Sequence, residues 1–251
     1  MFMRSLMLIL TLFSTFAVFS AGNLTPRKRY RAEFEIRATK NVYPEDFRCQ
    51  GVKLDYPGLL LQFVDGKGRK LTRMARGNFF NVHSREFVPG AIEFYTGEGV
   101  KHVKPIAKNA EFRNFRIVPV PPQENLAIPL DYRVSGQIRD YFITPGEPGK
   151  AIFDVWQGKI YGDLIPITGG KRYHLTVIGY AVQRSVIIGL EFYTHDRGGK
   201  SASVRSSRAQ IRISGRQQKL DYTFLVPAKA RWLRVTMARG VIKDYQVREI
   251  K

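Results

Sequence analysis

Cysteine is nearly absent from this chain, which has 251 residues and one cysteine, Cys49. An internal disulfide is therefore excluded, and the fold has to be held together by the packing of its core. A catalytic thiol would need a positioned histidine, and the sequence places none close to Cys49. We therefore expect Cys49 to be a buried structural residue.

Known catalytic motifs are missing as well. The sequence contains no H-E-x-x-H, G-x-S-x-G or P-loop pattern. A glycosidase needs only two suitably separated carboxylates, but Asp65 and Asp196 occur at turns, where turn chemistry alone explains them. The four histidines are scattered along the chain: His83, His102, His174 and His195. We therefore predict no catalytic residues and no enzymatic activity.

Long hydrophobic runs are absent except at the start of the chain. Ser5 to Phe19 is apolar and uncharged, and it follows a short segment whose one positive charge is Arg4. This pattern predicts a signal peptide over residues 1–21, cleaved before Ala21 or Gly22. An uncleaved anchor is the alternative, although the run is short for a membrane span. We expect a secreted, periplasmic or cell-surface protein, with no transmembrane segment after the leader is removed.

Acidic residues are few relative to basic ones. The chain has 41 Lys and Arg against 21 Asp and Glu, a formal net charge of +20. Residues 22–122 hold 19 basic and 10 acidic residues, and residues 123–251 hold 21 and 11. The excess therefore belongs to both halves, and it predicts affinity for an extracellular polyanion rather than intracellular nucleic acid. The alternative is a charge that serves only solubility or follows the host's general proteome.

An internal repeat is the main positive feature. Four landmarks occur twice in the same order, at 28–30 and 171–173, 60–68 and 189–199, 87–89 and 225–227, and 112–117 and 242–247. The landmarks are strand-like segments and turns. They predict two copies of one structural unit.

Apolar residues alternate with polar ones along the segments that the repeat marks. Tyr30, Ala32 and Phe34 alternate with charged residues, and Gly- and Pro-rich turns separate such segments. This pattern predicts an all-β fold of two tandem antiparallel β-sandwich (jelly-roll-like) domains. We place the domains at 22–118 and 126–251, with a proline-stiffened linker at 119–125. Residues 151–161 are expected to supply the first strands of the second copy, and the first copy either lacks them or borrows part of the linker-side segment.

The landmarks resemble those of galactose-binding-domain-like β-sandwiches, above all the non-catalytic carbohydrate-binding modules of bacterial polysaccharide-degrading enzymes. The resemblance implies glycan binding through aromatic rings, and it allows a structural calcium ion. This chain departs from the pattern because it is strongly basic and has no dense acidic loop for calcium. The metal site therefore has no predicted position, and no other cofactor is expected.

Two basic windows without acidic residues lie at matching places in the two copies, over 66–85 and 197–219. Arginine binds sulfate and carboxylate groups in a bidentate manner, which suits an anionic sugar. The alternative is an ordinary solvated surface. The candidate ligand-binding residues are Lys67, Arg69, Lys70, Arg73 and Arg76 in the first window and Arg205, Arg208 and Arg212 in the second.

Aromatic residues outside the predicted core form a second set of candidates. Trp232 is out of phase with Leu233, so it should face away from the core beside Arg234. Trp156 and Tyr161 lie near turns in the region private to the second copy. Flat rings stack on the apolar faces of sugars, but core packing or contact between the domains would also explain these residues.

These observations predict a secreted, non-catalytic carbohydrate-binding protein that prefers anionic, sulfated or acidic polysaccharide. The alternative is a structural or assembly module of the cell envelope, with a protein as its partner. A glycan-active enzyme is the third hypothesis.

Overall fold

The computed structural model describes residues 24–42, 56–71, 78–129, 134–135, 142–145, 151–155, 160–181, 186–197, 210–213, 218–238 and 240–251. Every regular element within these ranges is a β-strand, and none of them contains a helix able to cross a membrane. The predicted signal peptide and Cys49 lie outside the described residues.

The strands run through both halves of the chain. The first six are β1 (Arg29–Ala38), β2 (Gly58–Val64), β3 (Phe79–Asn81), β4 (Val88–Tyr95), β5 (His102–Lys108) and β6 (Ala110–Pro119). Five short strands follow: β7 (Val134–Ser135), β8 (Phe142–Pro145), β9 (Ala151–Val155), β10 (Ile160–Tyr161) and β11 (Ile165–Pro166). The last six are β12 (Arg172–Ala181), β13 (Val186–Tyr193), β14 (Gln210–Ile213), β15 (Gln218–Leu225), β16 (Trp232–Ala238) and β17 (Gly240–Glu249).

Two antiparallel sheets form the first sandwich. One has the strand order β4–β1–β6 and the other the order β5–β2–β3–β7. Alternate residues of β1, such as Phe34 and Ile36, share one buried cluster with Leu61 and Phe63 of β2. Side chains alternate between the two faces of a strand, so the period-two pattern places one face of each sheet in this core.

The second sandwich repeats this arrangement. Its sheets have the orders β15–β12–β17–β9–β8 and β10–β16–β13–β14, with β11 also paired to β16. Its core joins Leu175 and Val177 of β12 with Leu190 of β13 and Val235 of β16. The predicted all-β, antiparallel sandwich fold is confirmed.

The strand pairing shows the duplication directly. The orders β4–β1–β6 and β5–β2–β3 recur as β15–β12–β17 and β16–β13–β14. The β1–β6 register shifts between Glu33 and Glu35, and the β12–β17 register also shifts, between Ile178 and Gly179. Asn114 has a positive φ of 54° in the first bulge.

One predicted landmark of the repeat, the equivalence of 87–89 with 225–227, is wrong. Phe94 pairs with Tyr30 in the first sandwich, and Phe224 pairs with Tyr173 in the second. The counterpart of Leu225-Val226-Pro227 at the end of β15 is therefore residues 95–97, not Phe87-Val88-Pro89 at the start of β4. The Val-Pro dipeptides mislead because they flank opposite ends of equivalent strands.

The segment between the two sets of six strands serves both sandwiches. β7 lies beyond the linker yet pairs with β3 of the first sandwich. β9 extends the sheet beside β17, and β10 and β11 pair with β16. In the part of the chain that the structure describes, β5 and β6 have no such neighbours. Lysines and Pro105 in β5 and the bulge in β6 are features that protect exposed sheet edges from pairing.

Candidate functional site

The first basic window begins at a rigid turn after β2. The Asp65 carboxylate accepts hydrogen bonds from the backbone N–H groups of Lys67 and Arg69, both at 2.9 Å, and from Arg69 Nε at 2.8 Å. These bonds, above all the one from the Arg69 N–H, lower the pKa of Asp65. Arg69 is thereby neutralised locally, whereas Lys67 and Lys70 point into solvent.

Two further lysines extend this group. Lys101 begins the approach to β5, and its backbone N–H donates to the carbonyl of Val64 at 2.9 Å. Lys104 lies in β5 opposite Gln62. Lys67, Lys70, Lys101 and Lys104 form no ion pair with any carboxylate in the part of the chain that is described. We call these four residues the lysine cluster; the carboxylate in the adjoining turn, Asp65, is paired with Arg69.

The lysine cluster borders a sheet face that also carries apolar side chains. Residues paired across neighbouring antiparallel strands point to the same face. Leu60 pairs with both Phe79 and Ile106, Gln62 pairs with Lys104, and Val64 forms a bridge with Lys70. All of these side chains therefore lie on the face opposite the core, where Val64 is covered, at 1% exposed, and the others are at least partly exposed. The open face is defined by Leu60, Gln62, Lys70, Phe79, Lys104 and Ile106.

The open face is accessible in the structure. Ile106 is 40% exposed, Lys70 is exposed, and the remaining side chains of the open face are partly exposed. Phe80, next to Phe79, is by contrast buried in the core cluster. A ring and two aliphatic side chains thus lie beside cations that have no carboxylate partner.

The outer face of the other sheet of the first sandwich is different. Its arginines are matched by glutamates on neighbouring strands, so this face carries little unbalanced charge. The ion pairs are Arg37–Glu111 at 2.7 Å, Arg113–Glu35 at 2.6 Å, Arg116–Glu33 at 2.7 Å and Arg31–Glu93 at 2.7 Å.

Trp232 does not form an exposed stacking platform. As its phase predicts, it faces away from the core of the second sandwich, but it is fully buried in a separate cluster with Tyr95 and Leu164. Tyr95 belongs to β4 of the first sandwich, so the two halves of the chain meet over this indole. The alternative explanation for Trp232, contact between the halves, is the one that the structure supports.

Arg234 is also withdrawn from solvent. It is 4% exposed, and its guanidinium lies 5.4 Å from the centre of the Tyr193 ring. Glu191 lies directly opposite Arg234 across β13 and β16. The predicted pair of Trp232 and Arg234 is therefore part of the interior rather than of a ligand surface.

Further contacts fix the junction between the halves. Arg27 donates to the carbonyl of Ile167 at 2.6 Å, and Arg231 pairs with Glu98 at 3.0 Å. Tyr95 donates its hydroxyl to the carbonyl of Leu126 at 2.7 Å, and burial raises the pKa of Tyr95 to about 12.

The predicted linker is held from both sides. Val120 N–H donates to the Arg29 carbonyl at 3.0 Å, and Leu126 N–H donates to the Val247 carbonyl at 2.8 Å. The side chain of Asn125 accepts from the N–H of Val247 at 3.1 Å. The segment is thus bonded to β1 of one sandwich and to β17 of the other.

The remaining candidates stay predictions. Tyr161 lies in β10 and Arg212 in β14, but their side chains are not described. Trp156, Arg73, Arg76, Arg205 and Arg208 lie outside the described residues. Because β3 and β14 are equivalent strands, the two basic windows do occupy the same interval of each sandwich.

A calcium site has no support from the residues that can be placed. Among them, no three His, Cys, Asp or Glu side chains lie close enough together to hold a metal ion. The calcium ion allowed by the resemblance remains a prediction without a position.

Comparisons with known proteins identify no family for this chain. No family model matches this chain, and no curated protein matches it. Among solved structures, it is similar to the CBM22-1–CBM22-2 tandem domain of Xyn10C from Paenibacillus barcinonensis, with 11% identity, coverage of 90% of this chain and 80% of that one, and a TM-score of 0.35. It is also similar to Arthrobacter globiformis T6 isomalto-dextranase complexed with panose, with 12% identity, coverage of 90% of this chain and 35% of that one, and a TM-score of 0.39. For the ANX2 ectodomain of Arabidopsis thaliana the identity is 8%, the coverage is 91% of this chain and 80% of that one, and the TM-score is 0.26. At these values the likenesses carry no argument about function.

Proposed function

We propose that this protein binds glycans without modifying them, and that it prefers acidic or sulfated polysaccharides outside the cell. The observation that carries the proposal is the placement of the lysine cluster beside the open face. Phe79, Leu60 and Ile106 offer apolar surface to the C–H faces of sugar rings. The lysines offer charge to carboxylate or sulfate groups.

The charge distribution favours an acidic ligand over a neutral one. The arginines of the sheet β4–β1–β6 are balanced by glutamates, whereas the lysine cluster is not. Surface charges without partners raise the local concentration of counter-ions, and a polyanion that replaces those counter-ions gains affinity. The proposed preference therefore depends on salt.

A panel of immobilised neutral, carboxylated and sulfated polysaccharides, probed at low and high salt, tests this function. We expect retention on the acidic members at low salt and loss of retention at high salt, because exposed charges are screened. Lys67→Gln/Lys70→Gln should weaken retention about tenfold, which corresponds to about 1.4 kcal/mol. Lys229→Gln is the matched control, since Lys229 is an exposed lysine in a turn of the second sandwich.

Equal retention on neutral and acidic members at both salt concentrations would contradict the acidic preference. Retention on none of them, together with a stable protein complex recovered from the envelope, would favour the assembly hypothesis instead. Product release from any polysaccharide would show that the protein is an enzyme.

A further inference from the structure

The two sandwiches differ at one pair of positions that the strand register makes equivalent. Gln62 pairs with Lys104 across β2 and β5, and Glu191 pairs with Arg234 across β13 and β16. Directly opposed residues of an antiparallel pair are close enough to interact. The second sandwich therefore has a carboxylate on the strand opposite its cation, although Glu191 accepts its hydrogen bond from the Tyr193 hydroxyl. The first sandwich has a neutral amide at that position.

The same strands differ in exposure. The outward side chains of β16 are buried, with Trp232 at 0%, Arg234 at 4% and Thr236 at 6% exposed. At the equivalent positions of β5, Ile106 is 40% exposed and Lys104 is partly exposed. The face that is accessible in the first sandwich is closed along β16 in the second.

The junction explains part of this difference. Trp232 is covered by Tyr95 of the first sandwich and by Leu164, which precedes β11. The ring of Tyr193 lies over Arg234. The second sandwich thus uses this face for internal contacts.

We infer that, of the two equivalent faces, the open face of the first sandwich is the one that binds a glycan, and that Lys104 binds the acidic group of a glycan whose sugar rings lie against Phe79, Leu60 and Ile106. This inference rests on the proposed function and adds the location, the stoichiometry and the residue that selects charge. Lys104 can bind an acidic group because its neighbour on β2, Gln62, is neutral and does not oppose the lysine charge. The partly exposed apolar side chains lie on the same face. The second sandwich supports the first and binds no glycan at its equivalent face.

Calorimetric titration of the full chain with a size-defined acidic oligosaccharide, recognised in the polysaccharide panel, tests the inference. We expect one oligosaccharide per chain. Lys104→Gln should weaken binding about tenfold and Ile106→Ala severalfold, whereas the matched changes Lys229→Gln and Leu225→Ala should stay within about twofold. Leu225 is 62% exposed on the second sandwich, so it controls for the loss of an exposed aliphatic side chain.

The sharpest variant copies the second sandwich into the first. Gln62→Glu places a carboxylate opposite Lys104, as Glu191 is placed opposite Arg234, and it should lower the affinity at least tenfold. Gln62→Asn keeps the position neutral and should bind like the wild type. Thermal unfolding of each variant, within about 2 °C of the wild type, would show that folding is unchanged.

Two oligosaccharides per chain, or full binding by both Gln62→Glu and Lys104→Gln, would overturn the single-face inference while leaving glycan binding intact. Absence of binding by the wild-type chain to every acidic glycan would overturn the proposed function and the inference together.

Discussion

The buried indole at the junction allows a quantitative prediction. Trp232 is fully buried between the second sandwich and Tyr95 of the first. A tryptophan of this kind removes about 200 Å² from water, which at about 25 cal/mol per Å² is about 5 kcal/mol. Replacement of buried aromatic residues by alanine typically costs about 3–5 kcal/mol. We therefore expect Trp232→Ala to lower the free energy of unfolding by about 4 kcal/mol.

Thermal and urea unfolding would measure this loss. For a chain of this size, about 4 kcal/mol corresponds to a fall of roughly 8–16 °C in the melting temperature. Leu225→Ala is the control, because an exposed leucine should contribute no more than about 0.5 kcal/mol. A Trp232→Ala protein that melts like the Leu225→Ala protein would refute the buried junction.

Fluorescence gives a second readout that does not depend on stability. The chain has two tryptophans, so Trp156→Phe leaves Trp232 as the only one. Its emission should be blue-shifted and resistant to quenching by acrylamide, since the ring is enclosed by Tyr95 and Leu164. Red-shifted, easily quenched emission would mean that the indole is exposed.

Two further changes test the electrostatics. Glu93→Gln removes the carboxylate that accepts hydrogen bonds from Arg29, which is only 7% exposed. Because a buried guanidinium then loses its charged partner, the free energy of unfolding should fall by about 3–5 kcal/mol. A fall below about 1 kcal/mol in urea unfolding would contradict this. The pKa of Asp221 is lowered to about 2, and the largest cause is the hydrogen bond between its carboxylate and His174, at 3.0 Å. Because this folded-state pKa is depressed, the stabilisation exists above the unfolded value and is lost as the pH falls towards about 2. An NMR titration should show the low midpoint, and His174→Ala should move it upwards; an unchanged midpoint would assign the shift to other groups.

The sequence predicts the strands well because each sheet has one face towards solvent and one face buried in the core. The alternation of Phe34 and Ile36 with charged neighbours reflects that arrangement, and β1 forms over this stretch. The repeat is also visible in the sequence, because equivalent core positions, such as Phe63 and Phe192, hold the same type of side chain. The Val-Pro landmark failed because proline near a strand end fits either end of the strand.

The candidate site was less predictable because it depends on contacts between distant segments. The phase of Trp232 correctly indicates that it leaves its own core, but no local pattern shows that Tyr95 covers it. The basic window that the sequence predicts ends at residue 85 and omits Lys101 and Lys104, because only strand pairing brings β5 beside β2. A usable signal existed in β5, where Lys104, Ile106 and Lys108 alternate with the inward positions.

The central claim is that the open face binds an acidic glycan. Titration of an acidic oligosaccharide into isotopically labelled protein, followed through the backbone amide signals, tests it most directly. The account predicts that the largest changes occur in β2, β5 and the turn over residues 65–71, and that they disappear at high salt. Changes concentrated in β13 and β16 of the second sandwich, or changes that persist at high salt, would contradict it.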